Sequence, residues 1–205
     1  SRGITAAGDV IYADGSTTAP GPPPAGGVEA IEVVSTNGVD GFITVRLTVA
    51  LTADQTNVYA MAGTDDVQMS FPPAYQCAAP FGAEIGGVSP AFFAIANNAA
   101  LGFSEFDSWL TIGVTDGSAV GAISASPGFN IAALWTATTG IEQDNAAIFY
   151  MDPATMGGNS GDTPVVMAQM SVSATVAAGG TATALLQGHS TGGAMDWTYG
   201  ATWTW

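Results

Sequence analysis

The side chains with most chemical potential in this chain are its seventeen carboxylates and a single imidazole, His189. Two groupings of them have a spacing that suggests a role. Glu105 and Asp107 lie two apart at the entry of an expected strand, where both would face one side of a sheet, as paired carboxylates for glycoside hydrolysis could. A chain this acidic makes such pairs by chance, and no groove is legible around them. The second grouping is the Gly-rich run 152–162, in which Asp152, Asn159 and Asp162 offer the oxygen ligands that calcium takes. Its spacing is not that of an EF-hand, and its plainer alternative is a solvated turn. Asp65-Asp66 and the turn Asp116-Gly117 are lesser candidates of the same kind.

Two serines sit among glycines. Gly188-His189-Ser190-Thr191-Gly192 fits G-x-S-x-G and resembles the nucleophile elbow of α/β-hydrolases, which implies a Ser between a strand and a helix with its base His downstream. Here no His follows Ser190 and strand-like patterns flank it on both sides, so a hairpin turn is expected. Gly158-Asn159-Ser160-Gly161-Asp162 resembles the nucleophile loop of trypsin-like proteases, whose His and Asp precede the Ser; His189 comes after Ser160 instead. Cys77 and His189 make a thiol and imidazole pair on paper, with nothing in the sequence to join them. With no nucleophile given a base, the chain is expected not to be an enzyme. The lone Cys77 excludes an intramolecular disulfide and reads as a small buried hydrophobe.

The charge balance removes further classes. Arg2 and Arg46 are the only Lys or Arg residues, against a formal net charge of −15. Nucleic acid is excluded as a partner, because a phosphate backbone is bound by clustered Lys and Arg that displace counterions. Anionic membrane surfaces repel such a chain, and no run approaches the roughly 20 apolar residues of a membrane span, so no membrane insertion is expected. Only 9% of residues are charged, unlike a Lys/Glu-rich cytosolic surface. Together with an opening at Ser1 without Met, this leads us to expect a secreted, extracellular or cell-surface protein.

Two regions must position these residues: an arm over 1–27 and a folded body over 28–205. The arm ends in a Pro/Gly/Thr tract whose three successive prolines, Pro22, Pro23 and Pro24, favour polyproline II and cannot enter a sheet interior. Ahead of it, Asp9-Val10-Ile11-Tyr12 has the composition of a short strand able to pair with a neighbour's sheet edge. Thr17-Thr18-Ala19-Pro20-Gly21-Pro22-Pro23-Pro24 resembles the Pro/Thr tracts of hydroxyproline-rich wall and surface glycoproteins, which implies glycans on Ser16, Thr17 and Thr18 and modification of Pro22 to Pro24. There is no N-x-Ser/Thr sequon.

From residue 28 the pattern turns to period two. Ile43, Val45, Leu47, Val49 and Leu51 alternate with Thr44, Arg46 and Thr48, which predicts a strand with one face on a core and one in water. Asn37-Gly38 predicts a turn, making 29–36 and 41–51 a hairpin. Further strands are expected at 57–62, 67–71, 91–96, 106–114, 119–124, 129–136, 146–151, 165–173, 181–187 and 195–205, with one short helical turn at 97–103. Short strands at this spacing, separated by Gly and Pro pairs, predict an all-β fold, an antiparallel β-sandwich or jelly roll with an extended Pro-rich N-terminal arm.

In the last strand Trp197, Tyr199, Trp203 and Trp205 share one face against Asp196, Thr198, Thr202 and Thr204. That face is either core, a platform for stacking sugar rings, or a surface covered by another subunit. The expected function is an extracellular structural protein that self-assembles, as a homo-oligomer or polymer, into a filament, sheath or surface layer. Its alternative is a carbohydrate-binding β-sandwich module, with or without calcium.

Overall fold

In the computed structural model, which describes residues 3–4, 10–11, 27–118, 121–152, 164–192 and 196–205, strands make up 44% of the described residues and helix 11%. Within the arm, β1 (Gly3–Ile4) pairs antiparallel with β2 (Val10–Ile11) as a two-stranded sheet of its own. The body runs β3 (Val28–Ser35), β4 (Phe42–Ala50), β5 (Ala60–Gly63), β6 (Met69–Phe71), α1 (Phe93–Ala96), β7 (Asn97–Asn98), β8 (Gly102–Phe103), β9 (Trp109–Leu110) and β10 (Ile123–Ala125). It continues with α2 (Ile131–Leu134), β11 (Ile141–Gln143), β12 (Ala146–Tyr150), β13 (Val165–Ser173), α3 (Ala174–Ala177), β14 (Thr181–His189) and β15 (Asp196–Thr204).

Two antiparallel sheets form a sandwich. The smaller has the order β3-β4-β13-β9. In the larger, β5 and β6 lie end to end along β14, with Met61 opposite Leu186 and Ser70 opposite Thr183. Beside them β12 and β11 also lie end to end, with Ala146 opposite Gly63 and Gln143 opposite Met69. The larger sheet is thus five rows wide, from β10 through these two interrupted rows to β14 and β15. The interruptions fall side by side, and Gly63 sits at the break because a Cβ there would lie 1.9 Å from the Gln143 carbonyl oxygen.

The alternating positions of β4 and β13 fill the space between the sheets. Val45, Leu47 and Val49 pack with Ala168, Met170 and Val172, and meet Met61, Phe71, Ile148 and Leu186 of the opposite sheet. Each such aliphatic side chain stabilises the fold by about 1.5–3 kcal/mol on burial. Trp135, Trp197 and Trp203 are also fully buried, and each indole N–H has found an acceptor: Pro72 O at 2.8 Å, His189 O at 3.1 Å and Thr48 O at 2.8 Å.

Several elements differ from expectation. Residues 91–96 are not a strand: Pro90, whose ring presets the first helical turn, leads a 3-10 turn into α1. The expected strand 129–136 holds α2 instead, because the Asn130 side chain caps the Ala133 N–H at 3.2 Å. Residues 97–103, expected as a helical turn, form the small β7–β8 hairpin. Only Trp109–Leu110 of 106–114 is strand. The polar face of β4 is not in water either: Thr44 and Thr48 are each 1% exposed. There Thr44 donates to Ser171 Oγ, Ser171 donates to Phe106 O, and the Gln169 amide spans the carbonyls of Glu105 and Asp107 at 3.0 Å each.

Candidate functional site

Three places in the body concentrate polar or reactive groups. The first is the turn end of the β14–β15 hairpin, where His189 stands directly across from Asp196. His189 Nδ1 lies 2.7 Å from Asp196 Oδ1, the Tyr59 hydroxyl donates to Asp196 Oδ2 at 2.7 Å, and the Tyr59 and His189 rings are 4.8 Å apart. The Asp196 carboxyl is held below the usual range, chiefly by the Tyr59 hydroxyl and then by His189. Burial, with the bond to Asp196, pushes the Tyr59 phenol up. In neutral His189 this leaves Nε2 as the proton-accepting nitrogen. Ser190 is no partner for it: successive strand residues face opposite ways, and Ser190 Oγ is buried without a hydrogen-bond partner. The G-x-S-x-G run is therefore the end of a strand and the start of a hairpin connection.

The second place is Asp107, which is fully buried. Its Oδ1 accepts the Cys77 N–H and its Oδ2 the Ala83 N–H, both at 2.6 Å, so one carboxyl ties down both ends of the loop 77–83. Burial pushes its pKa up to about 7 against the pull of these backbone donors. The same burial, with Asp107 nearby, pushes the Cys77 thiol up to about 11, the opposite of an activated nucleophile. Glu105 is exposed and accepts from Asn97 Nδ2 at 2.7 Å. The suggested Glu105 and Asp107 pair is thus split, one in solvent and one in the core, because 104–106 is a 3-10 turn rather than a strand.

The third place is the side of the sandwich where β3 and β15 run beside each other. Glu29 of β3 reaches across, and its Oε1 accepts from the Tyr199 hydroxyl at 2.5 Å and from the Thr202 N–H at 3.0 Å. Neither strand has a ladder partner on its outer edge among the described residues. On β3, Val28 is 66% exposed, Val33 64% and Val34 42%. The opposite edges are protected: β10 has three residues, and β9 has two and is covered by 84–86 through Leu110 N to Glu84 O and Gly86 N to Leu110 O.

Of the aromatic face suggested as a platform, Trp197 and Trp203 are closed off in the core, while Tyr199 and Trp205 are half-buried. Trp205 packs on Gly180, where a Cβ would meet its indole at 2.6 Å. Asp152 is exposed just beyond β12. Asn159 and Asp162, the other suggested calcium ligands, lie outside the described residues, as do Ser16, Thr17, Thr18 and Pro22 to Pro24. No group of three metal-binding side chains occurs among the described residues, and none of their helices is long and apolar enough to cross a membrane. A concavity of about 580 Å³ beside β6 and β11 is lined by Ser70, Phe71, Glu142 and Thr181, and includes neither His189 nor Asp107.

The fold class is therefore an antiparallel β-sandwich. No protein family, curated protein or solved structure matches the chain.

Proposed function

We propose that this chain is an extracellular structural protein that assembles with copies of itself into a filament, sheath or surface layer, with glycans on Ser16, Thr17 and Thr18 and modification of Pro22 to Pro24 in its arm. The observation that carries this is the asymmetry of the sandwich: among the described residues, short or covered strands on one side and two long strands without an outer ladder partner on the other. Monomeric β-proteins blunt their edges with short strands, Lys, Pro or a covering loop, because unpaired N–H and C=O groups recruit other chains. This chain has no Lys. On β3 the Glu29 carboxylate is taken up by Tyr199 and Thr202, which leaves Glu32, exposed on the same strand, as its one free-standing charge. Sedimentation velocity with electron microscopy of the native material tests the proposal. Large, regular particles are expected, and a monodisperse monomer at physiological salt overturns it.

A further inference from the structure

The assembly proposed above requires something to cover the β3 edge, and on that basis we infer that the occupant is the N-terminal hairpin, β1–β2, of a neighbouring copy. Copies then join head to tail, arm to edge.

Three observations point to that occupant. The first is the hairpin itself. Among the described residues it pairs Gly3 with Ile11 and Ile4 with Val10, in a sheet with no third strand. Isolated two-stranded hairpins are marginal in water at best, and adding to an existing sheet is what stabilises them. One of its strands could pair with β3 along its outer edge without breaking the hairpin, and β3 offers a run from Val28 to Val33 that is regularly paired with β4 and has no partner on its other side among the described residues.

The second is where the arm joins the body. It enters at Gly27, directly ahead of β3. If the chain folded back through Gly26-Gly27 to cover its own edge, residues 18–25 would lie along β3. Pro20, Pro22, Pro23 and Pro24 fall within that stretch, and proline has no N–H to give to a ladder. The immediate tract cannot close the edge in cis. The 15 residues 12–26 can span at most about 50 Å when fully extended, a reach long enough for the edge of a neighbouring copy.

The third is chemical match. Ile4, Val10 and Ile11 are the aliphatic residues that a partner for exposed Val28, Val33 and Val34 needs. Arg2, one of two Lys or Arg residues in the chain, adjoins β1 and brings positive charge to a body that is otherwise acidic. An arm on one surface and an edge on another make a heterologous contact, and repetition of such a contact gives an open polymer rather than a closed dimer.

The experiment uses the full chain, a chain lacking residues 1–27, and a full-length V28K/V33K variant that charges the edge at two exposed positions. Circular dichroism and thermal melting first establish that all three are folded. The two variants alone are expected to lose the fast-sedimenting species of the full chain. Mixed, they complement: the truncated copy supplies a clean edge and the charged copy an arm, giving a species of twice the single-copy mass that grows no further. If the truncated chain assembles as the full chain does, or the mixture stays monomeric, the arm-to-edge junction is wrong while the assembly itself stands. A full chain that is itself monomeric removes both. If the variants prove unfolded, the full chain titrated with a synthetic peptide of residues 1–14 decides instead: shortening of the assemblies is expected, and unchanged assemblies overturn the junction.

Discussion

The Tyr199 hydroxyl and the Thr202 N–H converge on one oxygen of Glu29, at 2.5 Å and 3.0 Å, and so fasten the edge of one sheet to the edge of the other. A hydrogen bond to a charged group is worth about 1.5–3 kcal/mol, so Glu29→Ala should destabilise the body by roughly that amount in denaturant unfolding. The same carboxylate is the main reason that the Tyr199 phenol is pushed up to about 12. In Glu29→Gln the tyrosine that titrates there is expected to move back towards its ordinary range in an ultraviolet pH titration. An unchanged titration would show that Glu29 does not hold the hydroxyl.

Asp107 predicts a pH dependence with a definite sign. Its folded pKa, about 7, lies above the ordinary carboxyl value of 3.8. The stability it contributes is thus fully present below about pH 3.8 and is lost as pH rises through 7. The full span of such a shift is on the order of 4 kcal/mol. Melting temperatures measured between about pH 5 and pH 8 should fall towards the upper end, and Asp107→Asn, which mimics the neutral acid, should flatten that slope. An equal slope in the variant would assign the titration elsewhere.

Cys77 and Ser190 should be inert in the folded protein. The Cys77 thiol is 7% exposed and raised to about 11, and Ser190 Oγ is buried without a base. Alkylation of Cys77 is expected only after denaturation, and fluorophosphonate probes should leave Ser190 unlabelled. Rapid native alkylation, or stoichiometric labelling of Ser190, would reverse these assignments.

Trp203 separates core from platform. It is 1% exposed and its indole donates to Thr48 O at 2.8 Å. Trp203→Ala should therefore cost about 3–5 kcal/mol in unfolding free energy, as for large core deletions. A surface stacking residue would lose ligand binding and leave stability almost untouched, which is the outcome that would put Trp203 on a platform.

The sandwich was legible wherever the chain carries its instruction locally. Alternation in β4 and β15 marks strands because side chains two apart share a face, whatever lies above them. Pro90 and Asn130 were local signals too, start marks of helical turns that outweigh the strand-like Phe92-Phe93 and Ile131 beside them.

By itself, then, the sequence determined the all-β class, the long strands, the lone cysteine and the lack of a base downstream of Ser190. What covers each face was a matter for the tertiary structure alone. Alternation says that the two faces of β15 differ, but only the opposite sheet makes Trp197 and Trp203 core. Tyr59 and Asp196 lie 137 residues apart, and Asp107 meets Cys77 across 30. Such contacts arise from loops closed by the folding of the whole sandwich, and no local pattern of residue types encodes them. The outer edges of β3 and β15, without a ladder partner among the described residues, belong with them, because an edge exists only once every other strand has found its place.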